Sequence, residues 1–199
     1  MLPFAHKKAT QAVNYFARMA GGKISKMKAF KLTFLADRYH LRKYGRSVTL
    51  DTYFAMIYGP VPSATKNLLD VDESHHRFGR EYSREYLRPL SAREIESVGE
   101  VDSGVLSESD SEALKFAWGR FGKLTASQLS NLTHKYPEWA EFEEALMDCQ
   151  TKAEKMDCLK FLDDPPAGID PCFELSDADR EATKESIVET AKLKNLLRA

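Results

Sequence analysis

Residues 23–63 read KISKMKAFKLTFLADRYHLRKYGRSVTLDTYFAMIYGPVPS, and this stretch decides the fold. Ser25 offers an N-cap oxygen, the run from Lys26 to Tyr44 contains neither Gly nor Pro, and Gly45 can take the left-handed conformation that closes a helix. At 100° per residue Met27, Phe30, Leu32, Phe34, Leu35, Tyr39 and Leu41 fill an arc of about 200°, wider than a surface helix needs. The helix is therefore expected at the centre of the molecule. Lys31 and Arg38 project into the same arc, where a cation must snorkel, pair with a carboxylate or face a partner. Beyond the helix, Tyr53 to Tyr58 is aromatic and apolar between turn formers and reads as a strand. Gly59-Pro60-Val61-Pro62 reads as a stiff corner unable to continue a ladder, because two prolines lack donors. Ser63 then caps a short helix to about Leu69.

Working outward, Ala9, Ala12, Val13, Phe16 and Ala20 recur at helical spacing and predict a first helix over 6–20, ended by Gly21-Gly22. Residues 71–90 are polar, with a strand expected near Glu85–Pro89 and a further strand around Ile95 and Val98. Ser107 and Asp110 have capping-box spacing, so a helix is expected over 108–121, stopped by Gly122. Thr125 caps a shorter helix with Leu129 and Leu132 inward. Another helix starts at Pro137 and runs to about Cys149. DDPPAGIDP (163–171) reads as a linker, and a last helix follows Ser176. The predicted architecture is α+β, predominantly α-helical: one domain (1–162) with a small antiparallel β-sheet or hairpin, a Pro-rich linker (163–175) and a C-terminal helical tail (176–199).

The chain has 199 residues, 43% hydrophobic and 30% charged, enough for a core and too apolar for disorder. Residues 1–46 hold eleven Lys/Arg and one acid, whereas residues 100–199 hold twelve bases and twenty-one acids. Such asymmetry fits a nucleic-acid surface, a partner of opposite charge, or two halves that pack on each other. No apolar run reaches membrane-span or signal-peptide length, and the three cysteines, Cys149, Cys158 and Cys172, form no CxxC. A cytoplasmic protein with free thiols is expected.

The sequence contains no P-loop, GxGxxG, GxSxG, HExxH or EF-hand loop. His75 and His76 lie beside Asp72 and Glu73, but adjacent residues of an extended chain point to opposite faces, so no metal site is expected. No nucleophile–base pair is evident. A binding function is expected rather than catalysis, with no cofactor.

ADRYHLRKYGR, YFAMIYGPVPS, LSESDSEAL and the Thr133, His134 and Trp139 set of FGKLTASQLSNLTHKYPEW occur in this order. Together they resemble the Panacea domain family, the SocA-like antitoxins of bacteria and their phages, over about residues 7–150. The resemblance implies an antitoxin that neutralises a toxin protein encoded by an adjacent gene, by direct binding and without enzymatic activity. It also implies an alternative, an adaptor that delivers the toxin to a cytosolic protease. A nucleic-acid-binding regulator using the basic N-terminal region is a further alternative, although DNA is not the expected partner. The matching positions supply the toxin-binding candidates: Arg38, Tyr39 and His40; Tyr58, Gly59, Pro60 and Pro62; Thr133, His134 and Trp139. Each of these types also serves packing or backbone geometry.

Overall fold

The structure is a computed structural model that describes residues 3–70 and 79–196. His75 and His76 lie outside the described residues. Helix α1 (His6–Met19) ends on Gly21 and Gly22, both at positive φ. Strand β1 (Lys23–Ser25) leads into α2 (Lys26–Tyr44). The Ser25 side chain accepts from the Lys28 N–H, and Gly45 closes α2 at φ +70°. α2 is the central helix, with Leu32, Phe34 and Leu35 fully buried and packing against α1 and the later helices. Two residues of the predicted apolar faces, Met27 and Ala20, lie at the surface.

β2 (Tyr53–Met56) and β3 (Gly59–Pro62) form a hairpin with Ile57-Tyr58 at its turn. This corrects the expectation that the prolines exclude a ladder. Successive residues of a strand direct their N–H groups to opposite sides. The register pairs Phe54 with Val61 and Met56 with Gly59, so Gly59 and Val61 keep the donors that face β2. Pro60 and Pro62 face the open edge, where a missing donor costs nothing. Helix α3 (Ser63–Leu68) follows directly, but the Ser63 side chain does not cap it. Asp51 does, accepting from Ala64 N at 2.9 Å and from Thr65 N at 2.7 Å. A carboxylate delivered from outside the helix has no local sequence signature.

Helix α4 (Arg80–Tyr86) takes up part of the expected strand and leaves β4 (Leu87–Pro89), which pairs with β5 (Glu94–Ser97). α5 (Glu108–Phe121) and α6 (Ala126–Thr133) both start on capping boxes, at Ser107/Asp110 and Thr125/Gln128. The single helix expected from Pro137 is two: α7 (Pro137–Ala140) and α8 (Glu143–Met147). The break lies where the Phe142 N–H bonds the Trp139 carbonyl three residues back, a 3₁₀ rather than α-helical closure. β6 (Glu154–Lys155) adds to β2, and a 3₁₀ turn (Cys158–Leu162) brings Phe161 and Leu162 into the core.

The sheet orders are β1-β5-β4 and β3-β2-β6, both antiparallel. The fold is α+β and mainly helical. The Pro-rich segment after Leu162 lies on the body: Cys172 is buried, Ile169 and Phe173 pack on the core, and the Tyr136 hydroxyl donates to Asp170 O at 2.6 Å. α9 (Asp177–Leu196) rests on this segment through ion pairs of Arg180 with Asp164 and Lys184 with Asp163. Among the described residues, no helix is long and apolar enough to cross a membrane.

Candidate functional site: a clamped hairpin

The ten residues singled out in the sequence divide into two places. Arg38, Tyr39 and His40 lie on α2 and turn inward. Arg38 has no exposed surface and donates to Glu138 Oε1 at 2.6 Å and to Asp163 O at 2.5 Å, with its guanidinium 4.5 Å from the Tyr136 ring centroid. The carboxylate that the sequence left open comes from this chain, so Arg38 offers a partner no surface in this fold. Burial raises the Glu138 carboxyl, and Arg38 opposes that shift. Tyr39 stacks on Phe116 at 4.2 Å and donates to Glu112. His40 is buried, with Nδ1 2.6 Å from Arg46 O and Nε2 3.0 Å from Ser109 Oγ. These three tie α2 to α5, to the turn after Gly45 and to the 137–164 layer.

The other seven gather around the β2–β3 turn. Three carbonyls in alternation, Met56, Tyr58 and Pro60, are each held by a side chain from a different helix. Trp139 Nε1 donates to Met56 O at 3.0 Å, Ser130 Oγ to Tyr58 O at 2.8 Å, and Lys31 Nζ to Pro60 O at 2.8 Å. Gly59 sits at φ +95° within the clamp. A Cβ there would lie 2.8 Å from Thr133 Oγ1 and 2.9 Å from Lys31 Nζ, so only glycine allows the approach. Pro60 and Pro62 are buried, and they stiffen the outgoing strand. Thr133 is buried and donates to Ser130 O at 3.0 Å.

His134 stacks flat on Trp139, with centroids 3.7 Å apart, and its buried Nε2 meets no partner. Burial first, and then the neighbouring Lys31 charge, lower its pKa to about 4, so the ring is neutral near pH 7. Burial alone pulls Lys31 down to about 7. The result is a rigid platform with one projecting feature. Tyr58 is 64% exposed and Ile57 43%, although the main chain of the turn is fixed from below.

Sequence reasoning linked the hairpin to the Thr133–Trp139 motif only by family likeness; the clamp supplies the physical link. It missed Ser130 and gave Lys31 no role. Lys31 did carry a signal, a cation inside an apolar arc, whereas Ser130 carried none. Among the described residues, no cluster of three or more His, Cys, Asp or Glu could hold a metal ion. The arrangement offers no nucleophile beside a base; it presents a rigid aromatic tip.

No curated protein and no solved structure matches the chain. Residues 30–140 match the family model for the Antitoxin SocA-like, Panacea domain, a span that contains both residue groups and the whole clamp.

Proposed function

The chain belongs to the SocA-like Panacea antitoxin family, and from that premise we propose that it neutralises a cognate toxin protein by direct binding, with the Ile57–Tyr58 tip as the contact. The observation that carries this reading is the exposed Tyr58 on a main chain held by Trp139, Ser130 and Lys31. A side chain projecting from a fixed turn loses little freedom on binding. Tyrosine is among the residues that most often dominate interface energy. Gly59, Pro60, Pro62, Thr133, His134 and Trp139 hold the tip, and Arg38, Tyr39 and His40 hold the helix beneath it. The protein acts without catalysis or cofactor, in the cytoplasm of a bacterium or on behalf of a phage, on the product of an adjacent gene. In this reading residues 163–175 go with the antitoxin domain and α9 is the separable tail.

The test is co-expression with the product of the neighbouring reading frame that kills when expressed alone. The native chain restores growth and co-purifies with that product, and Tyr58→Ala, which melts as the native chain does, loses both. If the native chain neither binds nor protects, the toxin-neutralising reading fails for this protein. Copurification with a protease and loss of protection in its absence would favour the adaptor alternative instead.

A further inference from the structure

Three donors hold the hairpin, and Lys31 is the one that titrates. It is 1% exposed, its Nζ has Pro60 O as hydrogen-bond acceptor, and none of the ion pairs among the described residues involves it. A buried ammonium without a carboxylate is costly, because desolvation is not repaid by Coulomb attraction. Lysine is rarely buried without a paired carboxylate, and where it is, local rules give way to another requirement. Here it lies directly under Gly59, at the base of the presenting turn.

The surroundings of the amine are few. β3 carries no titratable side chain, and α6 contributes His134 at its end, held neutral near pH 7. On α2 itself, Lys28 donates to Gly122 O and Arg38 is paired with Glu138. From β2, Tyr53 is turned to Asp37, to which its hydroxyl donates at 2.9 Å. Among the described residues, no charged group is paired with Lys31.

We propose that Lys31 is a positioning residue of the presenting hairpin, and that opening of the hairpin is coupled to uptake of a proton by its amine. In the closed state the amine is dry and bonded to Pro60 O. When the turn lifts, Lys31 hydrates and regains the proton affinity of an ordinary lysine. Between about pH 7 and the ordinary lysine range of about 10 the open form therefore binds more protons than the closed form. Rising pH in that window favours the closed form. A partner that grips Tyr58 requires that form, so its affinity rises across the same window. The inference rests on the reading of the hairpin as the presenting element, but its test uses the free protein and does not depend on finding the partner.

The measurement is amide hydrogen exchange of Gly59 and Val61, corrected for intrinsic rates, from pH 6.5 to 8.5, with Ile95 of the other sheet as reference. Protection of the hairpin amides is expected to rise by at least threefold relative to Ile95 across this range, with a ceiling of about tenfold per pH unit for a single proton. In Lys31→Met the rise disappears and hairpin exchange is faster, whereas Lys31→Arg, which keeps a donor but does not titrate, restores protection without the pH dependence. A flat profile in the native chain overturns the proposal even if the variants fail to fold. So does a rise that persists in a folded Lys31→Met.

Discussion

Arg38 and Glu138 face each other with no exposed surface, and the pair shows how a charge within an apolar arc is resolved. Removing one member leaves the other buried and unpaired, so Arg38→Ala is expected to destabilise by about 3–5 kcal/mol in chemical denaturation. The double change Arg38→Met with Glu138→Leu should recover most of that loss, because it removes both charges and fills their volume. Recovery below one third would mean that the other bonds of Arg38, to Asp163 O and over Tyr136, dominate. His134 gives a pH prediction. Its folded pKa is about 4, below the ordinary histidine value of 6.5, so the unfolded chain binds more protons between these values. The His134 contribution to stability therefore rises with pH from 4 to 6.5 and is constant above. Asp37, pushed up to about 6 by burial, acts with the opposite sign in part of that window, so the check is the difference between two chains: in thermal melts the Tm of the native chain should drop relative to that of His134→Gln as pH falls from 6.5 to 4.

At the level of elements, the hairpin depends on one backbone conformation. Gly59→Ala meets Thr133 Oγ1 and Lys31 Nζ and strains a left-handed residue, so it should cost at least about 1 kcal/mol and accelerate proteolysis at the turn. An unchanged melt and an uncut turn would contradict the clamp. Much of the element list was legible in the sequence, for local reasons. Ser25 and Gly45 bound α2, capping boxes start α5 and α6, and glycines close α1. What was not legible depends on distant partners. β3 is a strand because its prolines fall on the open edge, which only the register reveals. α3 is capped by Asp51 from outside the helix, and the 137–147 helix breaks after Trp139 turns to Met56 O. The candidate site was half legible: motifs gave Tyr58, Gly59, Thr133 and Trp139, but only the fold shows that three helices hold one turn and that Arg38 is enclosed.

Across the whole molecule, the uneven charge is an internal matter. Lys8 and Arg46 pair with Asp110, Arg18 with Glu100, Arg38 with Glu138, Arg42 with Asp164 and Lys43 with Glu112. The basic first quarter is thus spent on the acidic second half, which leaves little support for a phosphate-binding surface there. The same bonds set where the chain can be shortened. Arg42 donates to Phe161 O, Leu162 O, Asp163 O and Phe173 O, so residues 163–175 complete its coordination. α9 is held by two partly exposed ion pairs, Arg180 with Asp164 and Lys184 with Asp163, which contribute about 1 kcal/mol or less each, and by Ile187, which packs on the core. A chain ended at residue 176 should melt cooperatively within a few degrees of the full chain. One ended at residue 162 should lose several kcal/mol, about what uncovering a buried charge costs. If both melt alike, the Pro-rich segment is a passive linker.

At the centre of the proposed function is Tyr58, as a contact rather than a support. Its side chain is exposed, so its loss leaves the fold intact, and any effect on protection must come from the partner. The direct measurement is the affinity of purified native chain and Tyr58→Ala for the product of the adjacent reading frame, at matched Tm. The expected result is a loss of at least tenfold, about 1.4 kcal/mol, for the variant, with protection of co-expressing cells lost in parallel. Equal affinity and equal protection by a folded Tyr58→Ala would contradict it.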